Sequence, residues 1–288
     1  MIAWDRVAVD SIARRRAVLV VGSGVSRNSV NDNGESPASW DGFLRQCAVE
    51  HGNPAYLIDV IARRDYLLGC QLLKTIMGRD KFVERVQAEF QLKRFKPAEI
   101  HKNLYELDVA ITISPNFDNI YDDYCRQASA GSYVIKTHAS TDTISYLNKC
   151  DVRLLIKSHG SANDPDDLIF TSEDYSRART KYSLFYDIIR SLALTHTFIF
   201  IGCGVDDPDL RMLFEDIKFT YGRMPLHFMT IPTGEVAPEV LKELSAVMQV
   251  KHLAYSPNNG HRELTESLAT LVQLVEQRRD ALSSARNW

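Results

Sequence analysis

AVLVVGSGVS at residues 17–26 places a five-residue apolar run directly before a glycine turn. An apolar run before a short polar motif returns twice, in VAITISPNFD at 109–118 and VRLLIKSHGS at 152–161. A continuous apolar run is the pattern of a strand buried on both faces of a parallel sheet. In open α/β sheets ligands bind where such strands end and loops begin. Three strand ends would therefore bring a glycine turn, an amide–carboxylate pair and a histidine to one site, with Asn116 and His159 as its chemical groups.

Further strand-like runs lie at 133–136, 197–201 and 226–231. Helical patterns cover 1–16, 118–129, 173–193, 207–220, 235–248 and 261 to about 284. Between the first and second strands, helical patterns dominate from about 40 to 107, with Ser39 placed to cap the first helix and Pro97 at the start of the last. These alternations predict an α/β fold: a Rossmann-like, doubly wound parallel sheet with a helical insertion at about 40–107. No linker is long enough to divide residues 1–288, so a single domain is expected. The insertion could pack as a lid or as an oligomer surface, and both readings stay open.

The chain has 288 residues, 45% hydrophobic and 25% charged, which is enough for a sizeable core. Its 34 basic and 37 acidic residues give a net charge of −3, so no basic excess points to direct nucleic-acid binding. The five cysteines, Cys47, Cys70, Cys125, Cys150 and Cys203, contain no CxxC pair. That excludes a four-cysteine zinc ribbon and suits a reducing compartment. The opening MIAWDRVAVDSIARRR lacks the apolar stretch of a secretory signal, and no apolar run approaches ~20 residues. A cytoplasmic protein without a membrane span is expected. The eight histidines show no metal-ligand spacing, and no metal is expected.

Gly22-Ser23-Gly24-Val25-Ser26 would let backbone N–H groups approach a pyrophosphate. A dehydrogenase fingerprint also needs a third glycine and a second strand ending in an acidic residue about 20 positions on. Arg27 occupies the third glycine position, and a polar loop follows instead. Asp118 reads equally as a helix cap or as a functional carboxylate, whereas Asn116 is less readily explained as a cap. A second glycine turn, Gly202-Cys203-Gly204, follows TFIFI and leads through Asp207 and Pro208 into a helix. This turn could hold a ribose or adenine, or could simply punctuate strand and helix.

In order along the chain, these motifs resemble the sirtuin NAD-binding domain. GSGVS is similar to its GAGxS loop, SPNFD to its TTNYD or TTNFD form, and IKSHGS to its LHGS motif. IFTSEDY and FIFIGCGVDDPDLRML resemble the DY segment and the GYSxxDP turn of bacterial sirtuin-like proteins. The likeness spans roughly residues 17–215. The two zinc-binding CxxC pairs of protein-deacylating sirtuins are absent, so no zinc-binding small domain is expected. The proline-aspartate-phenylalanine-arginine segment after the glycine loop and the peptide-binding phenylalanine-glycine-glutamate motif are absent too. What remains is similar to the sirtuin-like NAD hydrolases of bacterial anti-phage defence, from which the usual threonine (Pro115 here) and leucine (Ser158 here) depart.

The resemblance implies NAD as substrate and cleavage of its nicotinamide–ribose bond, depleting cellular NAD in abortive infection. It implies Asn116 as the group orienting ribose and water, and His159 as the base. Asp118 would bind ribose or orient its neighbours. Ser23, Gly24 and Ser26 would hold phosphates, with Arg27 as a charge partner. An NAD-dependent protein deacylase and a non-catalytic NAD or ADP-ribose sensor are the alternatives, and cyclisation of ADP-ribose is a close variant. An unrestrained NAD hydrolase would kill its host. The resemblance therefore implies control by homo-oligomerisation or by a separate sensor, such as an ATPase, an Argonaute-type protein or a nucleotide-processing partner.

Overall fold

The computed structural model describes residues 1–147, 149, 151–204 and 208–286, with side chains at 208–213 left aside. Seven strands form one parallel sheet: β1 (Ala17–Val21), β2 (Ile111–Ser114), β3 (Val134–Thr137), β4 (Leu154–Lys157), β5 (Thr197–Ile201), β6 (His227–Pro232) and β7 (Val250–Tyr255). Their order is β3-β4-β2-β1-β5-β6-β7, and each neighbouring pair is parallel. The chain leaves β1 toward β2 and later returns to β1's other side as β5. The crevice above the carboxyl ends of β1 and β5 is thus the topological switch point.

Helices cover both faces of the sheet. In chain order they are α1 (Arg6–Ala13), the single turn α2 (Ser23–Ser26), α3 (Trp40–Glu50), α4 (Ala55–Ala62), α5 (Tyr66–Met77), α6 (Arg79–Phe90), α7 (Glu99–Glu106), α8 (Ile120–Ala128), α9 (Ile144–Leu147), α10 (Ser172–Lys181), α11 (Ser183–Thr195), α12 (Pro208–Tyr221), α13 (Pro238–Met248) and α14 (Asn258–Ser284). Alternate residues of β1 serve opposite cores, as the two-residue strand period requires. Ala17, Leu19 and Val21 pack with Ile12, Leu104, Leu268 and Leu271. Val18 and Val20 pack with Ile189, Leu192, Phe214 and Met248 on the other face.

Helices α3–α6 build a third core of their own around Phe43, Leu44, Leu57, Leu73 and Phe82. Phe117 and Phe170, from loops at the sheet's carboxyl edge, complete this core and anchor the helical insertion there. Helix α7 packs instead into the main core through Ile100 and Leu104. The separately packed part of the insertion therefore ends near Phe90 rather than at 107. Ser39 caps α3 as expected, its hydroxyl accepting from Gly42 N–H at 3.1 Å. Pro97 precedes α7 by two residues, and His101 Nδ1 accepts from Ala98 N–H at 3.0 Å in its place.

Two of the expected helices differ in detail. The first helix starts at Arg6 because Asp5 accepts from Val7 N–H at 2.8 Å and caps it. The helical stretch expected at 173–193 is two helices broken at Tyr182. β7 answers to no continuous apolar run in the sequence, because it is an edge strand with Lys251 exposed. Among the described residues no helix is long and apolar enough to cross a membrane.

Candidate active site

The two glycine turns at the switch point are packed on one another. Gly22 N–H donates to Ile201 O and Gly24 N–H to Gly202 O, each at 2.9 Å. A Cβ on Gly22 would lie 2.4 Å from Gly202 O, and one on Gly24 would lie 2.9 Å from the same atom. Gly202 has φ +64°, and its Cβ would meet Val25 N at 2.6 Å. Glycine at these positions is thus explained first by the close approach of two backbones. Gly22, Ser23, Ser26, Cys203 and Gly204 face a cleft of about 440 Å³ above the turns. That volume falls in the range of small-molecule sites, roughly 300–1,000 Å³. Gly24 and Gly202 support the cleft without lining it, Arg27 is exposed outside it, and Asp207 lies outside the described residues.

Asn116, Asp118 and His159 all line this same cleft, although 43 positions separate the outermost motif residues Asn116 and His159 in sequence. β2 and β4 are neighbours with Ser114 in register with Lys157, so both side chains stand two residues beyond paired strand ends. Asn116 is 7% exposed, and its Nδ2 donates to Ser26 Oγ at 3.0 Å. Among the described residues its Oδ1 carries no hydrogen bond. Asp118 accepts from Ile120 N–H at 3.1 Å in a turn just before α8, whose N-cap is Asn119, so it lines the cleft without being the helix cap.

His159 is buried, with the Tyr175 hydroxyl 3.3 Å from Nε2 and the two rings edge-on at 5.1 Å. Gly160 follows with φ +79°, and a Cβ there would lie 2.6 Å from Asp167 O, so the histidine turn admits no other residue without movement. Beneath the two loops, buried Lys157 pairs with Asp122 at 3.1 Å. Burial pushes the Asp122 carboxyl above the usual carboxylate range, and Lys157 opposes that shift. His101, fully buried, is lowered to about 4 by desolvation, with Asp118 pulling the other way. His138 is likewise lowered to about 4 by burial.

The opposite wall comes from the insertion. Trp40, Tyr66 and Phe90 line it beside Phe117. Phe117 stacks on Phe170 at 3.9 Å and 18°, and Trp40 stacks on Phe170 at 5.4 Å. Among the described residues Arg64 is the only arginine or lysine that lines the cleft. Asp41, nearby, is held by Arg45 at 2.7 Å. Sequence reasoning singled out neither Tyr175, Trp40, Tyr66 and Arg64 nor Lys157. Tyr175 and Lys157 stand inside quoted motifs, IFTSEDY and IKSHGS, whereas the insertion residues carry no local signal. Among the described residues no group of three His, Cys, Asp or Glu side chains is arranged to hold a metal.

A family model described as a SIR2-like domain matches residues 110–253, half of the chain. Among curated proteins, the NAD(+) hydrolase ThsA of Enterococcus faecium is 24% identical over 219 residues, covering 73% of this chain and 41% of that protein. Defense-associated sirtuin 2 of Bacillus subtilis is 26% identical over 216 residues, covering 73% of this chain and 20% of that protein. The NAD(+) hydrolase ThsA of Bacillus cereus (strain MSX-D12) is 22% identical over 237 residues, covering 80% and 46%. The chain spans less than half the length of each of these three relatives.

Proposed function

This chain belongs to the SIR2-like family, and on that premise we propose that it is an NAD+ glycohydrolase acting in anti-phage defence. The reaction splits the nicotinamide–ribose bond and adds water to the ribose carbon, giving nicotinamide and ADP-ribose. The observation that carries this reading is the meeting of Asn116 and His159 in one cleft roofed by aromatic side chains and floored by two glycine turns. The names of the relatives, NAD(+) hydrolase and defense-associated sirtuin, support the substrate and the setting.

Nicotinamide leaves as a neutral base from a cationic precursor, so it needs no proton. The transition state is oxocarbenium-like, as in other glycosyl transfers. With Nδ2 engaged by Ser26, Asn116 presents Oδ1 to accept from a ribose hydroxyl or the attacking water. His159 serves as the base, its imidazole facing the cleft with the Tyr175 hydroxyl 3.3 Å from Nε2. Asp118 orders the Asn116 loop and the ribose. Ser23, Ser26 and the turn of Gly22 meet the phosphates, with Arg64 rather than Arg27 as the cation that faces them. In place of a peptide-binding strand, the chain after the histidine turn forms α10, which favours free NAD over an acyl-lysine peptide as substrate.

Residues 1–288 act as one domain in this account, cytoplasmic and restrained by homo-oligomerisation or a separate sensor protein. The test is incubation of the protein with NAD, with and without the products of its neighbouring genes. Nicotinamide, ADP-ribose and cyclic ADP-ribose are then measured. Nicotinamide and ADP-ribose in equal amounts are expected. NAD binding with no turnover under every condition would replace this reading with that of a sensor module.

A further inference from the structure

Lys157 closes β4, immediately before Ser158 and His159, yet it is 1% exposed. Its ammonium crosses to the neighbouring strand end. There it donates to the backbone carbonyl of Asp118 and lies 3.2 and 3.1 Å from the two carboxylate oxygens of Asp122. Those acceptors flank the start of α8, just beyond Asn116. One side chain thus spans from the root of the histidine loop to the loop carrying the amide.

Stability is a weak reason for an ammonium here. A buried ion pair gives back in desolvation much of what it gains in attraction, and apolar residues of similar volume often do as well. The ammonium does supply direction: three donors aimed at fixed acceptors on a second loop. Register between β2 and β4 sets the strand ends level. Beyond them Ser158 N–H donates to Ser114 O at 3.0 Å, Ala162 N–H to Phe117 O at 2.9 Å and Ser161 Oγ to Asn119 Oδ1 at 2.8 Å, so Lys157 adds an ionic tie beneath loops that already touch.

We propose that Lys157 is a positioning residue: by tying Asp118 O and the Asp122 carboxylate to the end of β4, it fixes the separation of Asn116 from His159. The consequence for catalysis rests on the NAD-hydrolase reading above; the tie itself does not.

The test compares the full chain with Asp122→Asn and with Lys157→Met/Asp122→Asn. The single variant keeps an amine that donates to Asp118 O. The double variant removes both charges together, so no unpaired ion is left buried. Expected for the double variant is a fall of about 100-fold in nicotinamide release, the scale of a ~1 Å misplacement of reacting groups. Its KM for NAD and its affinity for ADP-ribose should stay within about 3-fold. The single variant should retain activity within about 5-fold. A double variant as active as the single one would overturn the proposal.

Hydrogen exchange read by mass spectrometry supplies a measurement independent of turnover and of whether the double variant folds. In the unsubstituted protein, amides of 116–119 and 158–161 should open as one unit, and Asp122→Asn should speed both together. Independent opening of the two loops would overturn the tie. Faster exchange of both loops in Asp122→Asn, in a protein that never consumes NAD, would uphold the tie and reject the NAD reading, and unchanged exchange in that variant would overturn the tie.

Discussion

Replacing Ser26 with alanine removes the hydroxyl that accepts from Asn116 Nδ2 at 3.0 Å. Both residues are buried, at 3% and 7% exposure, so water cannot simply take the place of the lost acceptor. A buried N–H left without a partner is destabilising by about 1–3 kcal/mol. If the amide stays in place, that energy is lost from the fold, and Tm falls by roughly 2–10 °C for a chain of this size. If the amide turns to find water in the cleft, the fold is spared and the loss moves to the reaction. The same energy is then a fall of about 5- to 150-fold in kcat, since ~1.4 kcal/mol is tenfold. The two routes share one total. The assay is nicotinamide release by chromatography under activating conditions, paired with a thermal melt and a titration with ADP-ribose. Ser26→Ala with both Tm and kcat unchanged would refute the claim that this hydrogen bond orients the amide.

Other outcomes follow from the same geometry. Gly202→Ala should lower stability by about 2 kcal/mol or more, because φ +64° and a Cβ 2.6 Å from Val25 N act together; an unchanged urea midpoint would contradict the packed-turn description. The neutral buried histidines set an acid limit: His101 and His138 are lowered to about 4 and His227 to about 3, all by burial. The unfolded chain takes up protons below ~6.5 that the folded chain refuses, so stability is full above ~6.5 and falls as pH drops toward 4, by about 2 kcal/mol per histidine at pH 5. Urea unfolding at pH 7.5 and pH 5 should show this loss, and equal free energies would exclude it. Arg64→Ala should weaken ADP-ribose binding about 2- to 5-fold, with the difference shrinking at high salt, whereas Arg27→Ala should not; the reverse ranking would return the phosphate role to the glycine loop's own arginine.

Much of the fold is legible from the apolar runs because a parallel strand buried on both faces needs no partner pattern to declare itself. β1, β4 and β5 lie at or within the runs that announce them. β7 escapes because its edge position lets Lys251 and His252 interrupt the pattern. The candidate site is legible at its strand ends, where Asn116 and His159 follow runs in neighbouring strands. It is not legible across the cleft, since Trp40, Arg64 and Tyr66 reach it only through the packing of α3–α6 on Phe117 and Phe170. The glycines illustrate a different limit. Gly24 and Gly202 read as ligand contacts; the close approach of the two turns is a further reason for glycine there, and that approach exists only after β5 has docked beside β1.

The central claim is that Asn116 and His159 together act on the nicotinamide–ribose bond. Nicotinamide release from NAD by the protein, by Asn116→Ala and by His159→Ala, under the same activating conditions and with each melting point recorded, tests it most directly. The account predicts release by the unsubstituted protein and a loss of about 100-fold or more in each variant, with the fold retained. Full turnover in either variant would contradict it.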